Sequence, residues 1–203
     1  MKPGADDSGR RSHRQGAEAR AALVAATHQL LGTSGLEATS VAAVAQAAGV
    51  AKATVLYHFG TRDALILATV EAVLGPSWAQ QDQALRRPGD PRQALDAWLQ
   101  VCFAVPIETI RMRTQIASSA SGSPALRRLA DAERGVETAV ATLLERGHRM
   151  RCWRAPRPEG SAVLAMAIVE GCLASGLRSG DATTLPVLSA LCRGALLDVL
   201  VRS

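Results

Sequence analysis

Between Ser40 and Phe59 the chain reads SVAAVAQAAGVAKATVLYHF, and here residue type and spacing suit one kind of chemistry. That chemistry is contact and hydrogen bonding to base edges and phosphates, not the making or breaking of bonds. Two helices that cross closely need a small residue at the crossing, and Ala45 supplies it. Four residues later the chain must turn with positive φ, which favours glycine, and Gly49 stands there. Val44, Ala48, Val50 and Val55 fall at offsets that face a shared core. Lys52, Ala53, Thr54 and Tyr57 are then left pointing outward, as the second helix of a helix-turn-helix must when it enters a major groove. Thr54 offers a hydroxyl and a methyl to a base, and Lys52 reaches a base edge or a phosphate.

No catalytic pattern competes with this reading. The chain has no G-x-S-x-G, H-E-x-x-H, P-loop or dinucleotide fingerprint. Its four histidines are His13, His28, His58 and His148. His148 and Cys152 share a spacing that reads as an ordinary loop, so neither metal nor cofactor is expected. The four cysteines, Cys102, Cys152, Cys172 and Cys192, form no C-x-x-C pair. With no signal peptide at the start, they read as reduced thiols of a cytoplasmic protein. No uncharged run is long enough to span a membrane; residues 161–177 come nearest, and Glu170 interrupts them.

The elements that must position these residues are helices. Of the 203 residues, 48% are hydrophobic but only 3% aromatic, and alanine and leucine dominate. The expected class is all-α, a small three-helix unit followed by a larger helical domain. The formal charge is +5, and residues 1–62 hold seven Lys or Arg against four Asp or Glu. That balance permits a nucleic-acid partner without requiring one.

The predicted layout is a disordered arm over 1–12, a reading domain over 13–70 and a helical domain over 71–203. Ser12-x-x-Gln15 opens the first helix and Gly35 ends it. Thr39 and Ser40 cap the second. The third runs from Lys52 to His58, and Thr61 caps a fourth from Arg62 to about Leu74, ended by Gly75-Pro76. A short helix over 77–87 follows. Asp90 and Pro91 open a helix over 91–104, Pro106 kinks or restarts the chain, and a long charged helix covers 125–147. Residues 148–158 form a loop, and apolar helices over 159–179 and 184–202 close the chain.

The stretch from Gly35 to Leu65, GLEATSVAAVAQAAGVAKATVLYHFGTRDAL, resembles the DNA-binding domain of the tetracycline-repressor (TetR) family. The likeness spans about residues 14–70 and includes Arg20, Gly35, Thr39-Ser40, Ala45, Gly49-Val50, Thr54, Tyr57-His58-Phe59 and Arg62. It implies a homodimeric regulator of a pseudo-palindromic duplex, released by a small molecule. An all-helical ligand-binding protein or enzyme with no DNA role is the alternative. Tyr57 and His58 match the family's phosphate-contacting pair. Arg62, unfavourable at a helix N-terminus, would gain from a phosphate there, and so would Thr39 and Ser40. The chain departs from the family at Ala42, Ala51, Ala53 and Leu56, the last standing where a tyrosine is usual.

The same resemblance implies an effector pocket lined from mid-chain helices. Trp78, Trp98, Cys102, Phe103, Ile107, Met112 and Ile116 are the candidates, and with few charges among them a neutral or cationic apolar effector is expected. It also implies a four-helix bundle across a two-fold axis, formed by the last two helices. Met166, Glu170, Leu188, Leu191, Cys192, Ala195 and Val199 are the residues expected there.

Overall fold

The computed structural model describes residues 6–119 and 122–202, and these are helical almost throughout. Four helices and the start of a fifth make the head: α1 (Asp6–Thr33), α2 (Gly35–Ala38), α3 (Val41–Ala47), α4 (Lys52–Phe59) and α5 (Arg62–Leu85). The body adds α6 (Pro91–Phe103), α7 (Ile107–Ala117), α8 (Pro124–Arg149), α9 (Pro158–Ser179) and α10 (Leu185–Arg202), with a 3-10 turn before α10.

Local chemistry sets the helix starts. Ser40 Oγ accepts from the Ala43 amide at 3.1 Å, and Thr61 Oγ1 from the Ala64 amide at 3.1 Å. Asp90 and Ser123 cap α6 and α8, each followed by a proline at the first helical position, where the missing N–H costs nothing. Gly49 turns between α3 and α4 at φ +67, and Gly60 ends α4 at φ +72. Pro106 restarts the chain as the residue before α7.

Two boundaries differ from expectation. Of the expected arm, residues 1–5 lie outside the described residues, and α1 already runs from Asp6. No proline follows Pro3 to break it, and Ser12 lies inside the helix. The second difference is α5, which passes through Gly75-Pro76 without stopping. A proline inside a helix removes one hydrogen bond and costs about 3 kcal/mol. Burial on both sides outweighs this: Leu74 and Leu85 are both sealed into cores. Head and body therefore share one continuous helix.

Three apolar cores stack along the molecule. Leu23, Ala26, Val44, Ala45, Val55 and Leu65 fill the head. Leu31, Leu36, Ile66, Val70, Met112, Ile116 and Leu129 form a junction core between head and body. The body's core gathers α6, α8, α9 and α10 around Trp98, Leu99, Val140 and Leu196. Trp153, from the loop after α8, joins it and donates from Nε1 to Leu144 O at 2.9 Å.

Candidate nucleic-acid interface and effector cavity

Val55 anchors α4 in the head's core, and the opposite side of the helix faces solvent. Lys52 and Ala53 are exposed, Thr54 is half-buried, and Tyr57 is 86% exposed. An exposed tyrosine on a short helix leaves a large apolar surface uncovered. His58 is half-buried and stands edge-on to Tyr57, ring centroids 5.2 Å apart. Arg20 lies over the Phe59 ring at 5.0 Å and ties α1 to the end of α4.

Thr39 and Arg62 take different places from those expected of phosphate contacts. Thr39 is buried, and its hydroxyl donates to Gly35 O at 2.8 Å. Ser40 alone caps α3, and it remains exposed. Arg62 Nε donates to Thr39 O at 2.7 Å, and its Nη2 donates to Leu36 O. These carbonyls sit where α2 ends; Leu36 O already accepts from the Thr39 amide at 3.2 Å, and Arg62 adds a charged donor. The guanidinium satisfies them and locks the start of α5 to the entry of α3. Its partners lie far back in the chain, so no local pattern announces them.

In the body a cavity of about 50 Å³ lies between α5, α6, α7, α8 and α9. Of the expected lining, Trp78, Trp98 and Cys102 face it; Phe103, Ile107, Met112 and Ile116 do not. The geometry of α7 explains the split. Thr109, Ile110 and Arg113 take the cavity side, so Met112 and Ile116 turn into the junction core. Phe103 packs in the body's core, and Ile107 is half-buried at the start of α7.

The cavity's polar members were not foreseen. Gln81 Oε1 accepts from Trp98 Nε1 at 3.2 Å and from the Cys102 thiol at 3.6 Å. A buried tryptophan N–H demands an acceptor, which was the available signal. Arg113 grips Glu170 with both ends: Nη1 to Oε1 at 2.6 Å, and Nη2 to Oε2. Glu133 stands off at 4.0 Å from Arg113 Nη1. Two carboxylates thus share one guanidinium, leaving the wall with an excess negative charge. Burial pushes the Glu133 carboxyl above the ordinary range; Arg113 opposes this and Glu170 adds to it. Burial likewise pushes the Cys102 thiol up, which keeps it protonated and unreactive.

Several residues expected at a two-fold interface are used within the chain. Met166 and Glu170 line the cavity, and Cys192 is buried in the body's core. Leu188 is half-buried against Gly176, where a Cβ would come within 3.2 Å of its Cδ1. Val199 is half-buried as well. Leu191, at 63% exposure, and Ala195 face outward, with Val187 beside them and Val163 and Leu164 on α9. Helix α9 has the length and hydropathy of a membrane span, yet only 28% of its apolar window is buried. The His148–Cys152 loop is closed by His148 Nδ1, which accepts from the Ala155 amide at 3.2 Å. Among the described residues no group of three or more His, Cys, Asp or Glu could hold a metal ion.

Comparison with known proteins bears on both regions. Residues 23–69 match the family model described as bacterial regulatory proteins, tetR family. The HTH-type transcriptional regulator BetI of Rhizobium meliloti is 30% identical over 113 residues, 54% of this chain and 56% of that protein. BetI of Paraburkholderia phymatum is 35% identical over 114 residues, 54% of this chain and 58% of its own. The chain thus spans little more than half the length of the curated relatives it matches. A transcriptional regulator from Pseudomonas aeruginosa PAO1 superposes with a TM-score of 0.73 at 22% identity, over 89% of each chain. Another, from Saccharomonospora viridis in complex with choline, gives 0.76 at 18% identity, over 88% of this chain and 95% of that one. At these identities the structural likeness is one of fold, and it extends through the body. Residues 23–69 are thus similar to the DNA-binding segment of the bacterial regulatory proteins of the tetR family, and beyond them the likeness is one of fold.

Proposed function

We propose that this protein is a cytoplasmic transcriptional repressor that binds a pseudo-palindromic duplex as a homodimer and releases it when a small organic cation fills the body's cavity. The observation that carries the reading is the solvent-facing side of α4. Lys52, Ala53 and Tyr57 stand clear of a head whose own core is already filled, and Thr54 is half-open beside them. Ser40 and His58 flank that face, and Arg62 holds it in place from behind. A two-fold pair of such heads fits half-sites repeated about an axis.

The pairing surface is the apolar side of α9 and α10 left open by the body, around Val163, Leu164, Val187, Leu191 and Ala195. A helix apolar nearly all round is covered by a partner when its own chain does not cover it. This patch keeps Leu191 and Ala195 of the set first expected and adds Val163, Leu164 and Val187, while Met166, Glu170 and Cys192 face inward.

The effector class follows from the cavity. Glu133 is the carboxylate that Arg113 leaves largely uncompensated, and Trp78 and Trp98 supply aromatic walls. Aromatic walls beside a carboxylate suit a quaternary or protonated amine. The choline held by the Saccharomonospora viridis regulator supports that chemistry.

DNase footprinting of the DNA upstream of the protein's own gene tests the central claim. Protection in two symmetric halves, relieved by choline or tetramethylammonium but not by sodium chloride at the same concentration, is the expected result. A single asymmetric half, or none, sinks it.

A further inference from the structure

The exposed side of α4 carries two kinds of group. Lys52 and Tyr57 end in polar atoms. Ala53 and Leu56 end in methyl groups, and their three-residue spacing puts them on one face of the helix. Leu56 is 46% exposed, while the adjacent Val55 fills the head's core. Leu56 and Tyr57 are the large apolar side chains that the described part of the head leaves open. Nearly half of the Leu56 side chain is left uncovered by the fold.

A leucine can neither donate nor accept a hydrogen bond. Set against a phosphate, it would strip water from charged oxygens and return nothing. The edges of base pairs in the major groove carry one apolar group, the C5-methyl of thymine. We propose that Leu56, with Ala53 beside it, reads the 5-methyl group of a thymine in each half-site. At that base the preference rests on apolar contact, while Lys52, Thr54 and Tyr57 supply the polar contacts around it. The inference rests on the DNA-binding reading above.

The test uses the full-length protein and a duplex enriched from a random-sequence library. Each thymine is replaced in turn by deoxyuridine, which removes the methyl and leaves every hydrogen-bonding group in place. Wild type should bind roughly threefold to fivefold more weakly at one symmetric position per half-site, the effect of one methyl returned to water. Leu56→Ala should bind the thymine and uracil duplexes alike. Leu56→Met keeps an apolar tip and should keep the thymine preference, which separates lost contact from a damaged head. Uracil tolerated at every position overturns the proposal, as does a penalty undiminished in Leu56→Ala. If the library yields no enriched duplex, the regulator reading itself fails and the inference falls with it.

Discussion

Thr109 Oγ1 lies 3.1 Å from His28 Nε2, and this contact joins a cavity wall in the body to the long first helix of the head. Burial lowers the His28 pKa from its ordinary 6.5, and the nearby Glu108 pulls the other way. The fold therefore favours the neutral imidazole. As pH falls through 6.5, the unfolded chain takes up a proton that the folded chain resists, so stability is lost below that point and unaffected above it. His28→Gln should flatten this part of the profile, checked by urea unfolding at about pH 5 and about pH 8. Thr109→Val should cost about 1 kcal/mol and weaken the release of DNA by effector more than effector binding itself. Unchanged release in that variant would show that the contact carries no signal.

Arg62 gives a prediction of a different sign from that of a phosphate contact. Two of its nitrogens are committed to the Leu36 and Thr39 carbonyls. Arg62→Ala should lower stability by about 2 kcal/mol, for lost charge-assisted hydrogen bonds to a partly buried junction. The slope of log affinity against log salt should stay as in wild type. A fall of about one unit would instead mark a lost phosphate.

Glu133→Gln separates stability from binding. The folded carboxyl titrates above 4.5 and the unfolded one near it, so ionised Glu133 works against the fold as pH rises past 4.5. Removing the charge should raise the melting temperature at neutral pH. The same change should weaken tetramethylammonium by roughly tenfold, the cost of one lost charge contact of about 1.4 kcal/mol. Calorimetry reads both, and tighter cation binding in the variant would reverse the proposed role.

Leu191→Glu places like charges near each other at the centre of the proposed two-fold seam. Desolvating them costs several kcal/mol, enough to split a typical dimer. Light scattering should show a monomer whose circular dichroism is unchanged, because Leu191 is exposed within its own chain. Operator affinity should fall towards the non-specific level. A dimer that survives would put the seam elsewhere.

What the sequence could disclose follows from the range of the interactions. Ser40 bonds three residues ahead and Gly49 turns on its own φ, so the helix-turn-helix is legible in local pattern. The apolar run of α9 is equally visible, but not which side its own body covers; Met166 and Glu170 therefore turned out to face inward. Trp153 sits in a stretch that reads as loop, and only Gly147 betrays its position. A Cβ on that glycine would lie 2.1 Å from the indole, so the small residue and the large one specify each other across the bend. Pro76 misled because the local penalty is real while the burial that overrides it is tertiary.

An unbroken α5 also has the reach of a lever. Trp78 and Gln81 stand at the cavity, and Arg62 stands at the other end, bolted to the entry of α3. At 1.5 Å per residue the arm between them is about 24 Å, so a tilt of about ten degrees at the cavity swings the head through about 4 Å. In a symmetric pair the two swings add to about 8 Å, against a major groove only about 12 Å wide. On the proposed dimeric reading, a tilt of that size at the cavity would be enough to carry the two α4 helices out of register with one face of a duplex.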